Sequence, residues 1–398
     1  MSVYLDHAAT TPMLPEAIEA MVGELSVVGN PSSLHTAGRR ARRVVEESRE
    51  QLAQAVGASP SEVVFTSGGT EADNLAVKGT YRARRAADPR RRRVLVSAIE
   101  HHAVLDTAQA LADDEGAEVV LLPVDAKGRV QPDAVRSLIE ADPQSVALVS
   151  VMWANNEVGT LQPIAEIVEI AHRHGIPVHS DAVQAVGKVP VDFARSGLDL
   201  MSITGHKLGG PVGVGALVAV RGAELSPLVH GGGQERQVRS GTLDEPAIRS
   251  FAVAAALAVE RLAGTRVRLT ALREALVAGI RGHVPDVVVH GDPDPAGRLP
   301  GLVNLSFLGC DGDSLLYLLD AQGVECSTGS ACQAGVPQPS HVLVAMGVPD
   351  AEVRSALRLS LGHTSTEADV AAVVEALPAA VDRARGAGAV AAASVAAR

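Results

Sequence analysis

The chain has 398 residues but few aromatic residues, few cysteines and no long apolar run. Phe, Trp and Tyr make up only 2% of it, so Val, Leu, Ile and Ala must supply the core. Three cysteines that form no CxxC pair exclude a disulfide framework and favour a reducing cytoplasm. No apolar run approaches the ~20 residues that cross a membrane, and the first residues show no signal peptide. These absences predict a cytoplasmic protein without a membrane anchor.

Positive charge is also scarce relative to negative charge. The net charge of −11 at pH 7 argues against direct binding of nucleic acid. A basic cluster between Arg82 and Arg93 is the exception, and a solvated helix end explains it better than an acidic partner or nucleic acid does. The proportions of 46% hydrophobic and 20% charged residues are typical of a globular protein, and the length predicts two domains.

Short apolar runs alternate with longer helical stretches in the middle of the chain. Such alternation predicts βαβ units in a mainly parallel sheet. Ligands of such sheets bind beyond the carboxyl ends of the strands, so the residues after each run are the first candidates for a site. The seven runs cover residues 63–65, 94–96, 119–124, 146–152, 176–179, 200–203 and 216–220.

Helical patterns precede and follow this region, and an extended arm begins the chain. The predicted helices cover residues 15–22, 39–56 and 247–282. Beyond them lie strand-like runs at 287–289, 302–307 and 357–361.

These patterns predict an α/β protein of two domains. The large domain covers residues 15–250 and carries the seven-stranded sheet. The smaller α+β domain combines residues 1–14 with residues 251–398.

Glycines and hydroxyl residues follow the first run, in the segment 66–71. Gly69 and Thr70 open a helical stretch, where free N–H groups and the helix dipole attract an anion such as phosphate. A capping box would produce the same pattern, so this segment alone leaves both interpretations open.

An aspartate and a lysine follow two neighbouring runs. Asp181 ends an apolar strand, where a carboxylate is costly to bury without a cationic partner. Lys207 lies between two runs with Thr204 and His206 beside it, and a desolvated lysine can form a Schiff base. Together with a phosphate cradle, these groups meet the needs of pyridoxal phosphate, whose pyridine nitrogen an aspartate keeps protonated.

The second run leads into Glu100, His101 and His102. A strand would place the two histidines on opposite faces, so paired metal ligands are not expected. No metal ligand is predicted for the site, and one histidine is expected to stack on the ligand or to titrate against it.

The motifs jointly resemble the cysteine desulfurases of the NifS/IscS-like group, which depend on pyridoxal phosphate and have aminotransferase fold type I. The resemblance runs almost from end to end of the chain. The matching segments are residues 4–11, 29–35, 65–74, 100–105, 155–159, 181–184, 205–207, 230–236 and 239–242.

The resemblance implies roles around the cofactor ring. Lys207 resembles the Schiff-base lysine, Asp181 the partner of the pyridine nitrogen, and His101 the residue that stacks on the ring. Asn156 and Gln184 resemble the groups that bind the phenolic oxygen of the ring.

It also implies phosphate ligands and a dimer. Gly69, Thr70, Thr204 and His206 resemble the phosphate site, although the family usually has serine where Thr204 stands. Thr242 is similar to the threonine that reaches the phosphate of the neighbouring subunit, which implies a homodimer with shared active sites.

A cysteine, rather than the cofactor, indicates the reaction, because one fold and one cofactor serve many chemistries. The segment 326–338 is rich in Ser, Gly and Pro, which predicts a mobile loop with Cys332 as a reactive thiol. Cys332 resembles the persulfide-forming nucleophile of the long-loop group. The implied reaction converts L-cysteine to L-alanine while Lys207 moves the α-proton and Cys332 takes the sulfur. An acceptor protein of iron–sulfur cluster assembly or thiolation would then receive it.

Two further residues are expected at the substrate. Arg358 matches the arginine that holds the substrate carboxylate, and a bidentate guanidinium suits that group, although an exposed strand arginine is the alternative. Asn30 is expected at the same carboxylate. Of the other cysteines, Cys326 is interpreted as filling space rather than accepting sulfur, and Cys310 as a small buried side chain.

The residues leave two other functions open. One is a lyase that cleaves selenocysteine or a cystine-like substrate without a loop thiol. The other is a non-catalytic scaffold of a sulfur-transfer complex, against which the presence of Lys207, Asp181, Cys332 and Arg358 argues.

Overall fold

A computed structural model of the chain describes residues 2–329 and 338–396. Its strands are β1 (Val3–Tyr4), β2 (Val63–Thr66), β3 (Arg93–Ser97), β4 (Glu118–Leu122), β5 (Val146–Ser150), β6 (Val178–Asp181), β7 (Leu200–Thr204), β8 (Gly215–Ala219), β9 (Val287–His290), β10 (Leu302–Phe307), β11 (Val324–Glu325) and β12 (Ala356–Ser360). Its helices are α1 (Pro15–Leu25), α2 (Thr36–Val56), α3 (Gly69–Ala87), α4 (His102–Glu115), α5 (Pro132–Ala141), α6 (Ile164–His172), α7 (Phe193–Ser196), α8 (Glu245–Glu260), α9 (Leu262–His283), α10 (Gly312–Asp320), α11 (His341–Ala345), α12 (Asp350–Val353) and α13 (Glu367–Ala396).

The seven predicted runs form one sheet in the order β2-β8-β7-β6-β5-β3-β4. Strands β3 to β7 pair in parallel, and β8 runs antiparallel to both of its neighbours. The prediction of a mainly parallel seven-stranded sheet is therefore confirmed. Because β7 and β8 are adjacent and antiparallel, the turn that joins them, with Lys207 in it, lies at the same edge as the carboxyl ends of the parallel strands.

The extended arm at the start of the chain is paired rather than free. Strand β1 runs parallel to β11, and Asp6 forms an isolated bridge with Ser360 at the end of β12. Strands β12, β10 and β9 form an antiparallel sheet. This pairing brings the first residues of the chain against β12, which carries Arg358.

The helix predicted over 247–282 is in fact two helices, and this prediction was wrong. Helix α8 packs on α1 and α2, whereas α9 packs on α13. The two helices are separated at Arg261, whose φ of −84° and ψ of −1° depart from regular α-helical values. The first helix also runs three residues further than predicted, to Leu25.

Two large apolar clusters stabilise the fold. One covers one face of the central sheet and takes in α8 through Ile248 and Phe251. The other joins Leu5 of the arm to α9, β10, β12 and α13. Aliphatic residues dominate both clusters, as the shortage of aromatic residues predicts. Among the described residues, no helix has the length and apolar character needed to cross a membrane.

Candidate active site

A cavity of about 410 Å³ lies where β2, β3, β5, β6 and β7 end. Ligands bind at this edge of a parallel sheet because backbone groups and helix N-termini converge there. The predicted site residues that line it are Gly69, Thr70, His101, Asn156, Asp181, Gln184, Thr204, His206, Lys207 and Arg358.

Lys207 is held at the wall of this cavity by the arm at the start of the chain. Its ammonium donates hydrogen bonds to the carbonyl oxygens of Ala8 and Ala9. Burial, and then the charge of Arg358, lower the pKa of the Lys207 amine to about 8. A substantial fraction of this amine is therefore neutral near pH 8 and can act as a nucleophile or a base.

Asp181 ends β6 and is buried, with 6% of its surface exposed. Its Oδ1 accepts a hydrogen bond from the Val183 amide at 2.8 Å. Burial raises the pKa of the Asp181 carboxyl. Burial followed by the charge of Asp181 also raises the pKa values of Asp73 and Glu100. Burial makes the ionised form of these carboxyls costly, so a cation beside Asp181, such as a protonated pyridine nitrogen, would stabilise its ionised form.

The start of α3 forms the predicted cradle. Gly68 has a φ of +151° and caps the helix without a side chain, so the first amides of α3 keep no side-chain partner among the described residues. An ideal Cβ on Gly69 would lie 2.9 Å from Val183 Cγ2, so glycine is needed for this close approach. Free amides at a helix N-terminus are donors for a phosphate group.

Two side chains of the β7–β8 turn complete the cradle. Thr204 is buried, and its hydroxyl donates to the Val214 carbonyl at 3.2 Å. His206 Nδ1 lies 3.3 Å from Thr10 Oγ1. Burial, and then the charge of Lys207, lower the pKa of His206 to about 4, so its ring is neutral at pH 7. The neutral His206 ring has one N–H group that can donate to a phosphate, and Thr204 can donate to it when its single O–H turns away from the Val214 carbonyl.

His101 and His102 do not lie on a strand, which corrects the sequence prediction. Strand β3 ends at Ser97, and His101 caps α4 by accepting a hydrogen bond from the Ala103 amide at 3.1 Å. The apolar run at residues 94–96 did not indicate that a turn separates the strand from the two histidines. Burial, and then Lys207, lower the pKa of His101 to about 4, so its ring is neutral at pH 7 and can accept a proton.

Arg358 lies on β12 and has 5% of its surface exposed. Its Nη2 donates to Asp6 Oδ1 at 2.6 Å and its Nη1 to the Asn156 carbonyl at 3.0 Å. Its Nε is buried and has no partner among the described residues. The interpretation as an exposed strand arginine is therefore wrong, and Arg358 is a fixed cation at the cavity.

Some predicted residues lie away from the cavity in a single chain. Asn30 is exposed, and its side-chain oxygen accepts from the Ser32 amide. Thr242 is also exposed. Neither residue lines the cavity. Cys332 lies outside the described residues, but Ser327 and His341, on either side of its segment, line the cavity.

Sequence reasoning missed several groups at the cavity. Asp73 and Glu157 are buried in its wall, and Ser340 donates a 2.5 Å hydrogen bond to Glu157. His341 Nε2 lies 2.8 Å from the Glu100 carbonyl. Asp73 lies on the buried face of α3 with Ala72 and Leu75, and a carboxyl at such a position is the signal that could have indicated it.

The two described cysteines are packed side chains. Cys310 is buried, and burial raises the pKa of its thiol. Cys326 packs against the apolar cluster of α9 and β12. Burial, and then the charge of Asp6, raise the pKa of the Cys326 thiol to about 12, so it is protonated and a weak nucleophile at pH 7.

Comparison with known proteins agrees with this geometry. A sequence model of the aminotransferase class-V family matches residues 3–373. The chain belongs to this family. An IscS-like cysteine desulfurase of Mycobacterium tuberculosis (strain ATCC 25618 / H37Rv) is 58% identical over 382 residues, which are 96% of this chain and 97% of that protein.

Solved structures give the same relationship. A NifS-like protein aligns with a TM-score of 0.88 and 35% identity over 96% of this chain and 100% of its own. The structure described as SspA in complex with cysteine aligns with a TM-score of 0.77 and 34% identity over 91% and 99% of the two chains. The predicted family and the aminotransferase fold are confirmed, and pyridoxal phosphate is the cofactor of this family.

The residues of the cavity fit that cofactor. The glycine cradle of α3 suits its phosphate, and Lys207 supplies a partly neutral amine for its aldehyde. Buried Asp181 is suited to its pyridine nitrogen, because only Oδ1 has a hydrogen-bond partner among the described residues.

Proposed function

We propose that this protein is a cysteine desulfurase that converts L-cysteine to L-alanine and transfers the sulfur to Cys332. The proposal rests on one observation, which is that the residues needed for this reaction line a single cavity. Lys207, Asp181 and Arg358 line it, and so do Ser327 and His341 on either side of the Cys332 segment. This reaction has three requirements: a group that binds the substrate carboxylate, a group that transfers a proton, and a thiol that can approach the substrate.

The roles follow from the charge of each side chain. When bound, pyridoxal phosphate draws electrons from the α-carbon of the amino acid. Arg358 binds the substrate carboxylate through its guanidinium. Asp181 holds the proton on the pyridine nitrogen, and Lys207 Nζ accepts the α-proton, since its pKa lies near 8. His101, neutral at pH 7, is a second proton acceptor at the cavity.

The sulfur step is a transfer between two thiols. Cys332 Sγ forms a bond to the substrate sulfur while the C–S bond of the substrate breaks. The carbon fragment takes up a proton and leaves as alanine, so the products are a Cys332 persulfide and L-alanine. A sulfur-acceptor protein of iron–sulfur cluster assembly or thiolation then takes the outer sulfur atom, in a reducing cytoplasm that keeps thiols free.

The test measures alanine and protein-bound persulfide after L-cysteine is added to the purified, cofactor-loaded protein. The Cys332→Ala variant should lose both products, whereas Cys326→Ala should keep both because Cys326 is a half-buried thiol whose pKa is raised to about 12. Alanine formation from L-cysteine that continues without Cys332, with sulfide released directly, would instead identify a lyase. A wild-type protein that binds the cofactor but forms no alanine would identify a scaffold.

The site is completed in a homodimer. Helix α1 and the segment after it expose apolar side chains that water disfavours. Thr242, which resembles a phosphate ligand of the neighbouring subunit, is exposed and away from the cavity of its own chain. A second copy would cover the apolar residues and use Thr242. The exposed apolar side chains are Ile18, Val22, Leu25, Val27, Val28 and Leu34.

A further inference from the structure

A second cavity lies beside the first, on the other side of a thin wall. Its volume is about 290 Å³. Ala8, Gln184 and Lys207 line both cavities and so form the wall between them. Lys188 lines the second cavity but not the first. The proposed function uses Gln184 and Lys207 but gives Lys188 no role.

Lys188 makes a single polar contact that bears on the site. Its ammonium donates a 2.5 Å hydrogen bond to Gln184 Oε1. No carboxylate lies within ion-pair distance of it among the described residues. Burial, followed by the charges of Lys207 and Arg358, lowers the pKa of Lys188 to about 7. A charged amine with so few polar partners is costly to bury, which agrees with the lowered pKa of Lys188.

The hydrogen bonds of Gln184 continue from Lys188 to Lys207. Gln184 Nε2 donates to the Ala8 carbonyl at 2.8 Å, and the Lys207 ammonium donates to the same carbonyl. Residues 182–189 form a series of turns, through bonds such as the Lys188 amide to the Ala185 carbonyl, and Gly187 among them has a left-handed φ of +71°. The hydrogen bond between the two side chains shows that Lys188 lies beside Gln184.

A glutamine amide alone has no preferred orientation, because its oxygen and nitrogen ends have similar shapes. An ammonium group can only donate hydrogen bonds. In this protonated form, which predominates below its pKa of about 7, Lys188 therefore pairs with the oxygen end of Gln184, and the NH₂ end faces the first cavity and the Ala8 carbonyl, which can only accept. An NH₂ group can donate to an anionic ring oxygen, whereas a carbonyl oxygen would repel it.

We propose that Lys188 is a positioning residue, which orients the Gln184 amide so that its NH₂ group meets the phenolic oxygen of the cofactor. This inference rests on the proposed function, since it assigns the ring of pyridoxal phosphate to the first cavity. Lys188 acts through Gln184 and does not touch the reacting atoms.

The test follows the visible absorption of the bound cofactor against pH. A hydrogen bond from Gln184 stabilises the anionic ring oxygen and lowers the pH at which the absorption changes. Lys188→Met keeps the length of the side chain but removes the donor, so the midpoint should rise by about one pH unit. The kcat should fall about tenfold while the KM for cysteine stays unchanged. Lys188→Arg should restore the midpoint.

The Gln184→Ala variant removes the residue through which Lys188 is proposed to act, so it tests whether Lys188 has an effect of its own. This variant should show the same rise in midpoint, and adding Lys188→Met to it should cause no further change. An unchanged midpoint in Lys188→Met, or an equal shift in both backgrounds, overturns the positioning role. Lys127→Met, outside both cavities, is the matched control. If the wild-type protein shows no cofactor absorption at all, the proposed function itself fails, and this outcome is distinct from the others.

Discussion

The surroundings of Lys207 set the pH at which its amine becomes reactive. Burial and Arg358 lower its pKa from 10.5 to about 8, and only the neutral amine can bond covalently to the cofactor. The rate at which the cofactor-free protein captures pyridoxal phosphate should therefore rise with pH and level off above about 8. Stopped-flow absorbance across pH 6–11 measures this rate. A rise that continues to pH 10.5 would show that the amine is unperturbed.

Arg358 provides a second prediction at the scale of single residues. Its guanidinium is fixed by Asp6 and by the Asn156 carbonyl, which leaves it oriented for a planar carboxylate. Lysine cannot bind a carboxylate in this bidentate manner, so Arg358→Lys should raise the KM for cysteine about 10- to 100-fold. Steady-state kinetics measures the effect. Arg354→Lys, which changes an exposed arginine paired with Asp350, should leave KM unchanged.

Residues that follow strands were predictable, whereas their partners were not. Asp181, Thr204 and Lys207 stand directly after apolar runs, and the carboxyl ends of parallel strands meet at one edge. Asp6 and Arg358 form a 2.6 Å ion pair although 352 residues separate them. Nothing local in the sequence encodes such a pair, since it arises from the pairing of the arm with β12.

At the scale of elements, the junction of β2 and α3 supports a prediction about packing. A Cβ on Gly69 would press on Val183, whose amide orients Asp181. Gly69→Ala should therefore weaken cofactor binding by about 1–3 kcal/mol, which is the usual cost of overpacking. Titration of the cofactor-free protein measures the dissociation constant. Gly264→Ala on α9 is the control: its Cβ meets no atom within 4 Å, so cofactor affinity should stay unchanged.

Element type was predictable where a pattern was long, and boundaries were not. Seven apolar runs became seven strands of one sheet, because alternation with helices constrains the topology. The break between α8 and α9 was missed, because a single residue separates the two helices and this residue, Arg261, is a type that favours helices. Packing of the two helices on different partners decides this break, and packing is not visible in periodicity.

The whole molecule carries an apolar surface that a single copy leaves in water. Val22 and Leu25 on α1 are 59% and 63% exposed, and Val28 and Leu34 after it exceed 80%. Covering such side chains stabilises a dimer by roughly 25 cal/mol per Å² of apolar area, before the costs of association.

A Val22→Glu/Leu25→Glu double variant should therefore dissociate to monomers at micromolar concentration, because each new carboxylate would be buried without a partner at the interface. Analytical ultracentrifugation measures the change in mass. Val267→Glu, at an exposed position on α9, should leave the dimer intact. Since Thr242 of one subunit would then no longer reach the cofactor cavity of the other, the double variant should also lose affinity for pyridoxal phosphate. A wild-type protein that sediments as a monomer, or a monomeric variant with unchanged cofactor affinity, would contradict shared active sites.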